Sequence, residues 1–210
     1  MKNSTRYRII EVLELLSGSI LPMIFWISVI FGFDTPCIAI LTILSAVIHE
    51  IGHCIAINLF SKGNATVRGH STGFRIKQDE LLSYSKEIAI LISGPFINII
   101  VFLLTLPFKN AFLGYIRIFG YINLVTGLSN LLPIEGYDGY GAISALFRAR
   151  GFGHFIKWLE GFSFVVSITV TFVSLHLIDL FGEGYWIFGL FFFTVLSKIS
   201  NLGKYDIFEE

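Results

Sequence analysis

Apolar residues in this chain fall into six long runs, near 17 to 33, 37 to 60, 86 to 106, 112 to 132, 156 to 180 and 185 to 203, separated by short polar stretches. Runs of this length match the roughly 20 residues a helix needs to cross a bilayer, so the pattern predicts an all-α polytopic membrane protein with about six transmembrane helices. The first run is interrupted by Gly18 and Pro22, and Ile9, Ile10, Leu13 and Leu16 before it carry the spacing of an amphipathic helix lying on the membrane surface. The one long hydrophilic connection runs from Ser61 to Ser85. Within it, Ala65 to Lys77 mixes β-branched and apolar residues with Gly69 and Gly73, which predicts a short β element after the second span. An exposed strand there can add an extended substrate through main-chain hydrogen bonds; an ordinary surface loop is the plainer reading.

Composition agrees with the pattern. Hydrophobic residues make up 54% of the chain and charged residues 14%, outside the range of soluble domains. The chain reads as a single integral membrane domain over 1–210. Its formal net charge is zero, which gives no footing for nucleic acid as a partner; the lipid bilayer is the partner composition demands. Cys37 and Cys54 are too few for a disulfide framework, and the basic N-terminus leads into Glu11 and Glu14 with no cleavable signal pattern. With six spans, thirteen of the fifteen Lys and Arg residues fall on one side, leaving only Lys109 and Arg117 on the other. Both termini and the loops after spans two and four are therefore expected to be cytoplasmic.

The second run contains the chemistry. From Cys37 to Phe60 the only acidic or basic side chains are His49, Glu50 and His53, in the order His-Glu-x-x-His. Residues four apart share a helix face, so the two imidazoles can offer nitrogens to one ion, while Glu50 lies roughly 100° round the helix, placed for a general base rather than a ligand. Three ionisable groups at membrane depth cost a few kcal/mol each unless they have a partner or a function. The spacing points to Zn2+, which brings the pKa of a bound water to about 7, and Glu50 takes the proton during attack on a peptide carbonyl. Catalytic zinc uses three protein ligands, so a third must come from another element. Asp138, Glu135, His70 and His154 are the candidates near span ends. Asp138 has the best setting, because Pro133, Gly136 and Gly139 break the helix after span four and let a carboxylate turn back into the bundle.

His49-Glu50-x-x-His53, Gly94-Pro95-Phe96-Ile97-Asn98 and Asn130-Leu131-Leu132-Pro133 followed by Asp138-Gly139 closely resemble, in order and spacing, the three motifs of the site-2 proteases, intramembrane zinc metalloproteases. The resemblance covers a three-helix catalytic core over 37–140. It implies zinc on His49, His53 and Asp138, Glu50 as catalytic base, and cleavage within or next to a transmembrane segment of a membrane-protein substrate at a site reached by water from the cytoplasm. Such proteases release membrane-tethered regulators or clear membrane peptides, some under a regulatory membrane protein. The chain departs from the pattern at Glu135 and Tyr137, where an apolar or proline-rich stretch is usual; Glu135 is then a ligand, an outer partner of a ligand, or a solvated loop charge.

Asn98 and Asn130 are polar groups in apolar spans, either binding substrate and a developing oxyanion or linking helices as membrane amides do. Gly94-Pro95 is expected to unwind or kink span three beside the metal. His70 reads as a solvated imidazole and His176 with Asp179 as a helix-packing pair. Two other classes compete with a protease: a membrane zinc-binding or transport protein, and a catalytically silent module that captures membrane helices. Glu50 discriminates, because a transporter has no special need of a carboxylate beside the first histidine.

Overall fold

The computed structural model describes residues 32, 34–60, 65–70, 73–78, 83–108, 114–182 and 185–205. The expected first span, 17 to 33, and any surface helix before it lie outside the described residues apart from Gly32. The elements are α1 (Pro36–Phe60), β1 (Ala65–His70), β2 (Gly73–Gln78), α2 (Tyr84–Thr105), α3 (Gly114–Asn130), α4 (Asp138–Ala149), a 3-10 turn (Gly153–Phe155), α5 (Ile156–Phe181) and α6 (Tyr185–Tyr205). β1 and β2 pair antiparallel from Ala65 opposite Gln78 to His70 opposite Gly73.

Among the described residues three helical stretches are long and apolar enough to cross a membrane: Pro36–Phe60, Tyr84–Thr105 and Gly153–Leu180. Tyr185–Leu196 is a shorter apolar stretch. At about 1.5 Å per residue a 25-residue helix reaches roughly 37 Å, enough for the hydrocarbon core with a margin at each end. The surface is inverted relative to a soluble protein. Ile40, Leu59, Leu104, Trp158 and Phe172 are largely exposed, whereas Ser45, Asn98, Asn123, Ser163 and Ser167 are fully buried. Such a molecule faces lipid outward and turns its polar groups inward to bond one another, as a membrane protein must.

α1, α2 and α3 pack mutually, and α4 lies against α2. The close approach of α1 to α2 depends on two glycines: a Cβ at Gly52 would sit 2.7 Å from the Ser93 carbonyl oxygen and 3.0 Å from the Gly94 Cα. Absent side chains let the two backbones meet at the level of the histidines. α5 and α6 pack along each other more extensively than on the first three helices. α5 ends where Gly182 takes a left-handed conformation, φ 71°, and donates its N–H to the Ile178 carbonyl.

Helix α4 was not among the elements the hydropathy pattern predicts. Its 12 residues are amphipathic and too short to span, so a search for apolar runs passes over it. α2 continues through Pro95 without unwinding, and the space beside the histidines comes from the missing side chain of Gly94.

Candidate metal centre

His49 and His53, one turn apart on α1, are both buried and set edge to face, with ring centroids 4.7 Å apart. Asp138 reaches them from the first residue of α4, where a carboxylate also suits the positive end of the helix dipole. Its approach is shaped by the loop after α3. Pro133 follows the last turns of α3, Gly136 holds φ at +94°, and a Cβ at Gly139 would collide with the Leu131 carbonyl. The turn therefore folds the carboxylate back under the end of α3.

The result is a compact triangle. His49 Nε2 lies 3.0 Å and His53 Nε2 3.2 Å from Asp138 Oδ2, and the two Nε2 atoms are 3.1 Å apart. Ligands about 2.0–2.1 Å from a tetrahedral zinc stand roughly 3.3 Å from one another, so these separations are close to the edges of such a site. The group His49, His53 and Asp138 can hold a metal ion.

The outer contacts of the two imidazoles make the chemistry more specific. His49 Nδ1 is 2.7 Å from Asn98 Oδ1, and His53 Nδ1 is 2.8 Å from the Ile90 carbonyl oxygen. Both partners are acceptors, so each Nδ1 carries the hydrogen and each Nε2 presents a lone pair to the triangle. Three acceptors converging on one point repel unless a cation sits among them. This donor set fits a metal of the zinc type, which takes neutral imidazole and carboxylate.

Asn98 is held as firmly as the ligand it orients. Its Nδ2 lies 3.2 Å from the Ser45 carbonyl oxygen, which only accepts, so Nδ2 is the amide nitrogen and Oδ1 must face His49. The same Nδ2 lies 3.2 Å from Ser45 Oγ and 2.8 Å from Asn123 Oδ1; Asn123 Nδ2 in turn donates to the Phe119 carbonyl at 2.8 Å. Ser45 Oγ donates to Thr126 Oγ1 at 3.1 Å. A polarised chain thus runs from α3 through α2 to the metal ligand on α1. Wholly buried and engaged at both ends, Asn98 links the three helices and bonds His49, the second of the two roles its sequence setting left open.

Glu50 lies beside the triangle. It is close enough to interact electrostatically with His53, His49 and Asp138, and its Oε2 is buried with no hydrogen-bond partner among the described residues. A buried acceptor left unmatched costs about 1–3 kcal/mol. Gly94 makes the room: a Cβ there would stand 2.8 Å from His49 Nε2 and 2.7 Å from His53 Cε1.

Of the four third-ligand candidates, Asp138 joins the histidines. Glu135 is more than half exposed and pairs instead with Lys198 on α6, 3.1 Å away, and His154 is exposed in the 3-10 turn against Phe152 and Phe155. His70 ends β1 opposite Gly73, and its side chain is outside the described residues. His176 and Asp179 are both exposed on α5. Asn130 is half-buried and donates one amide hydrogen to the Thr126 carbonyl of its own helix at 3.0 Å. Sequence reading missed Ser45, Asn123 and the Ile90 carbonyl. Ser45 did carry a signal, sitting one turn before His49 on the same face.

Among solved structures, the site-2 protease from Methanocaldococcus jannaschii has a similar fold, with a TM-score of 0.55 over 84% of this chain and 85% of that one at 19% sequence identity. No protein-family model and no curated protein matches the chain. At that identity the likeness is one of fold, and what the site does rests on its own residues.

Proposed function

We propose that this protein is an intramembrane zinc metalloendopeptidase that hydrolyses a peptide bond within or next to a transmembrane segment of a membrane-protein substrate. The observation that carries the reading is the convergence of His49, His53 and Asp138 with both imidazoles held in the ligating tautomer, beside a buried carboxylate oxygen that has no partner among the described residues. Zinc held by the three would supply a Lewis acid for the peptide carbonyl and lower the pKa of a water to about 7. Glu50 accepts a proton from the attacking water and returns it to the departing amine. Asn98 keeps His49 in place, and Asn130, with one amide hydrogen not committed to Thr126, is the donor offered to substrate.

The substrate must be locally unwound, because a carbonyl in an intrahelical hydrogen bond is shielded by its own backbone; helix-breaking residues near the scissile bond will favour cleavage. The six-span arrangement over 1–210, with catalytic core 37–140 and both termini cytoplasmic, is supported by the charge distribution along the chain. The site then opens toward the cytoplasm, and the β1–β2 hairpin follows α1 on that side, where an extended substrate can add to a strand edge.

The test is cleavage of a model transmembrane peptide by the detergent-purified protein beside Glu50→Gln. Loss of about 10²–10⁴-fold in rate with metal retained supports the proteolytic reading. Full activity in Glu50→Gln would overturn it in favour of a metal-handling membrane protein.

A further inference from the structure

The loop that presents Asp138 does not stand alone. The Glu135 N–H donates to Ser163 Oγ on α5 at 2.7 Å, and the Glu135 carboxylate meets Lys198 of α6 at 3.1 Å. Lys198 Nζ also donates to the Glu160 carbonyl at 2.9 Å and to Ser163 Oγ at 3.2 Å, and its side chain is 18% exposed. Two residues further on, Tyr137 lies nearly parallel to Phe191 of α6, ring centroids 5.8 Å apart and planes 11° from each other, with Phe191 fully buried. Glu135 and Tyr137 thus fix the loop on either side of Gly136, whose left-handed backbone otherwise leaves it the freest point before the ligand. Tyr137 is bonded directly to Asp138.

We infer that α6 is a positioning element for the metal centre, with Lys198 and Glu135 as positioning residues that clasp the 133–137 loop so that Asp138 meets the two histidines. The inference rests on the metal-centre reading above. It gives a purpose to the two residues in which this chain departs from the site-2 protease pattern, since each makes a contact with α6. It also makes α6 a lever. α5 and α6 pack mainly on each other, so their movement away from the other helices would be transmitted through Glu135 and Tyr137 to Asp138.

Outer partners of metal ligands are worth about 10–100-fold in affinity, and Lys198 acts one link further out through a carboxylate that is half exposed, so an effect of roughly three- to tenfold is expected. The experiment is zinc competition against a chromophoric chelator, using full-length protein in detergent. Lys198→Met and Glu135→Gln should each weaken zinc binding by that factor, the double variant should be no worse than either, and Lys198→Arg should hold zinc as wild type does. Wild-type affinity in Glu135→Gln, or losses that add in the double variant, would overturn the clasp while leaving the metal centre intact. A wild-type protein that binds no zinc would overturn both.

Discussion

The buried polar groups at the centre of α1–α3 and the buried hydroxyls of α5 are similarly shielded but bond in different directions. On α1 to α3, Ser45, His49, Asn98, Asn123 and Thr126 bond from helix to helix, across 25 to 81 residues of sequence. On α5, Ser167 donates to the Ser163 carbonyl, Thr171 to that of Ser167 and Ser174 to that of Thr171, all within their own helix. A hydroxyl that returns to its own backbone solves only its own solvation problem. Groups that reach across fix the relative position of helices, and that is what a metal ligand needs. Polarity inside a membrane helix is therefore a poor guide to a site; the direction of its hydrogen bonds is a better one. Ser163 is the exception on α5, and it is the serine joined to the loop before Asp138.

Substitutions should separate the two regions. Gly94→Ala is expected to have the largest effect, because the new methyl would contact both imidazoles beside the triangle of donor atoms; zinc content should fall close to zero in an otherwise folded protein, as measured by elemental analysis after gel filtration. Asn98→Ala should come next. It frees His49 Nδ1 from its acceptor and unpairs Asn123 Oδ1, so chelator competition should show metal binding weakened by about 10–100-fold and thermal unfolding a loss of about 1–3 kcal/mol. Ser167→Ala, removing an equally buried hydroxyl, should leave zinc affinity unchanged and shift stability by no more than about 1 kcal/mol in the same assays. A zinc defect in Ser167→Ala as large as that of Asn98→Ala would erase the distinction between the regions.

What could be read from the chain follows the same division. His49, Glu50 and His53 were legible because helical geometry ties residues four apart to one face without help from the rest of the fold. Asp138 was legible because Pro133 and Gly136 announce a turn before it. Asn98 was located but left open between two roles, since its partners lie 25 and 49 residues away and only packing decides which ends of the amide they occupy. Gly94 was noticed for its backbone, whereas what matters is the space its missing side chain leaves. Helix α4 escaped because a short amphipathic helix leaves no mark on hydropathy, and the Lys198–Glu135 pair because nothing local connects residues 63 apart.

The central claim is that three side chains from two helices make one metal site, and zinc content per chain in detergent-purified protein, wild type beside Asp138→Ala, tests it most directly. The account predicts about one zinc per wild-type chain and a large loss in the variant. Wild type without zinc, or an Asp138→Ala variant that retains it fully, would contradict the account.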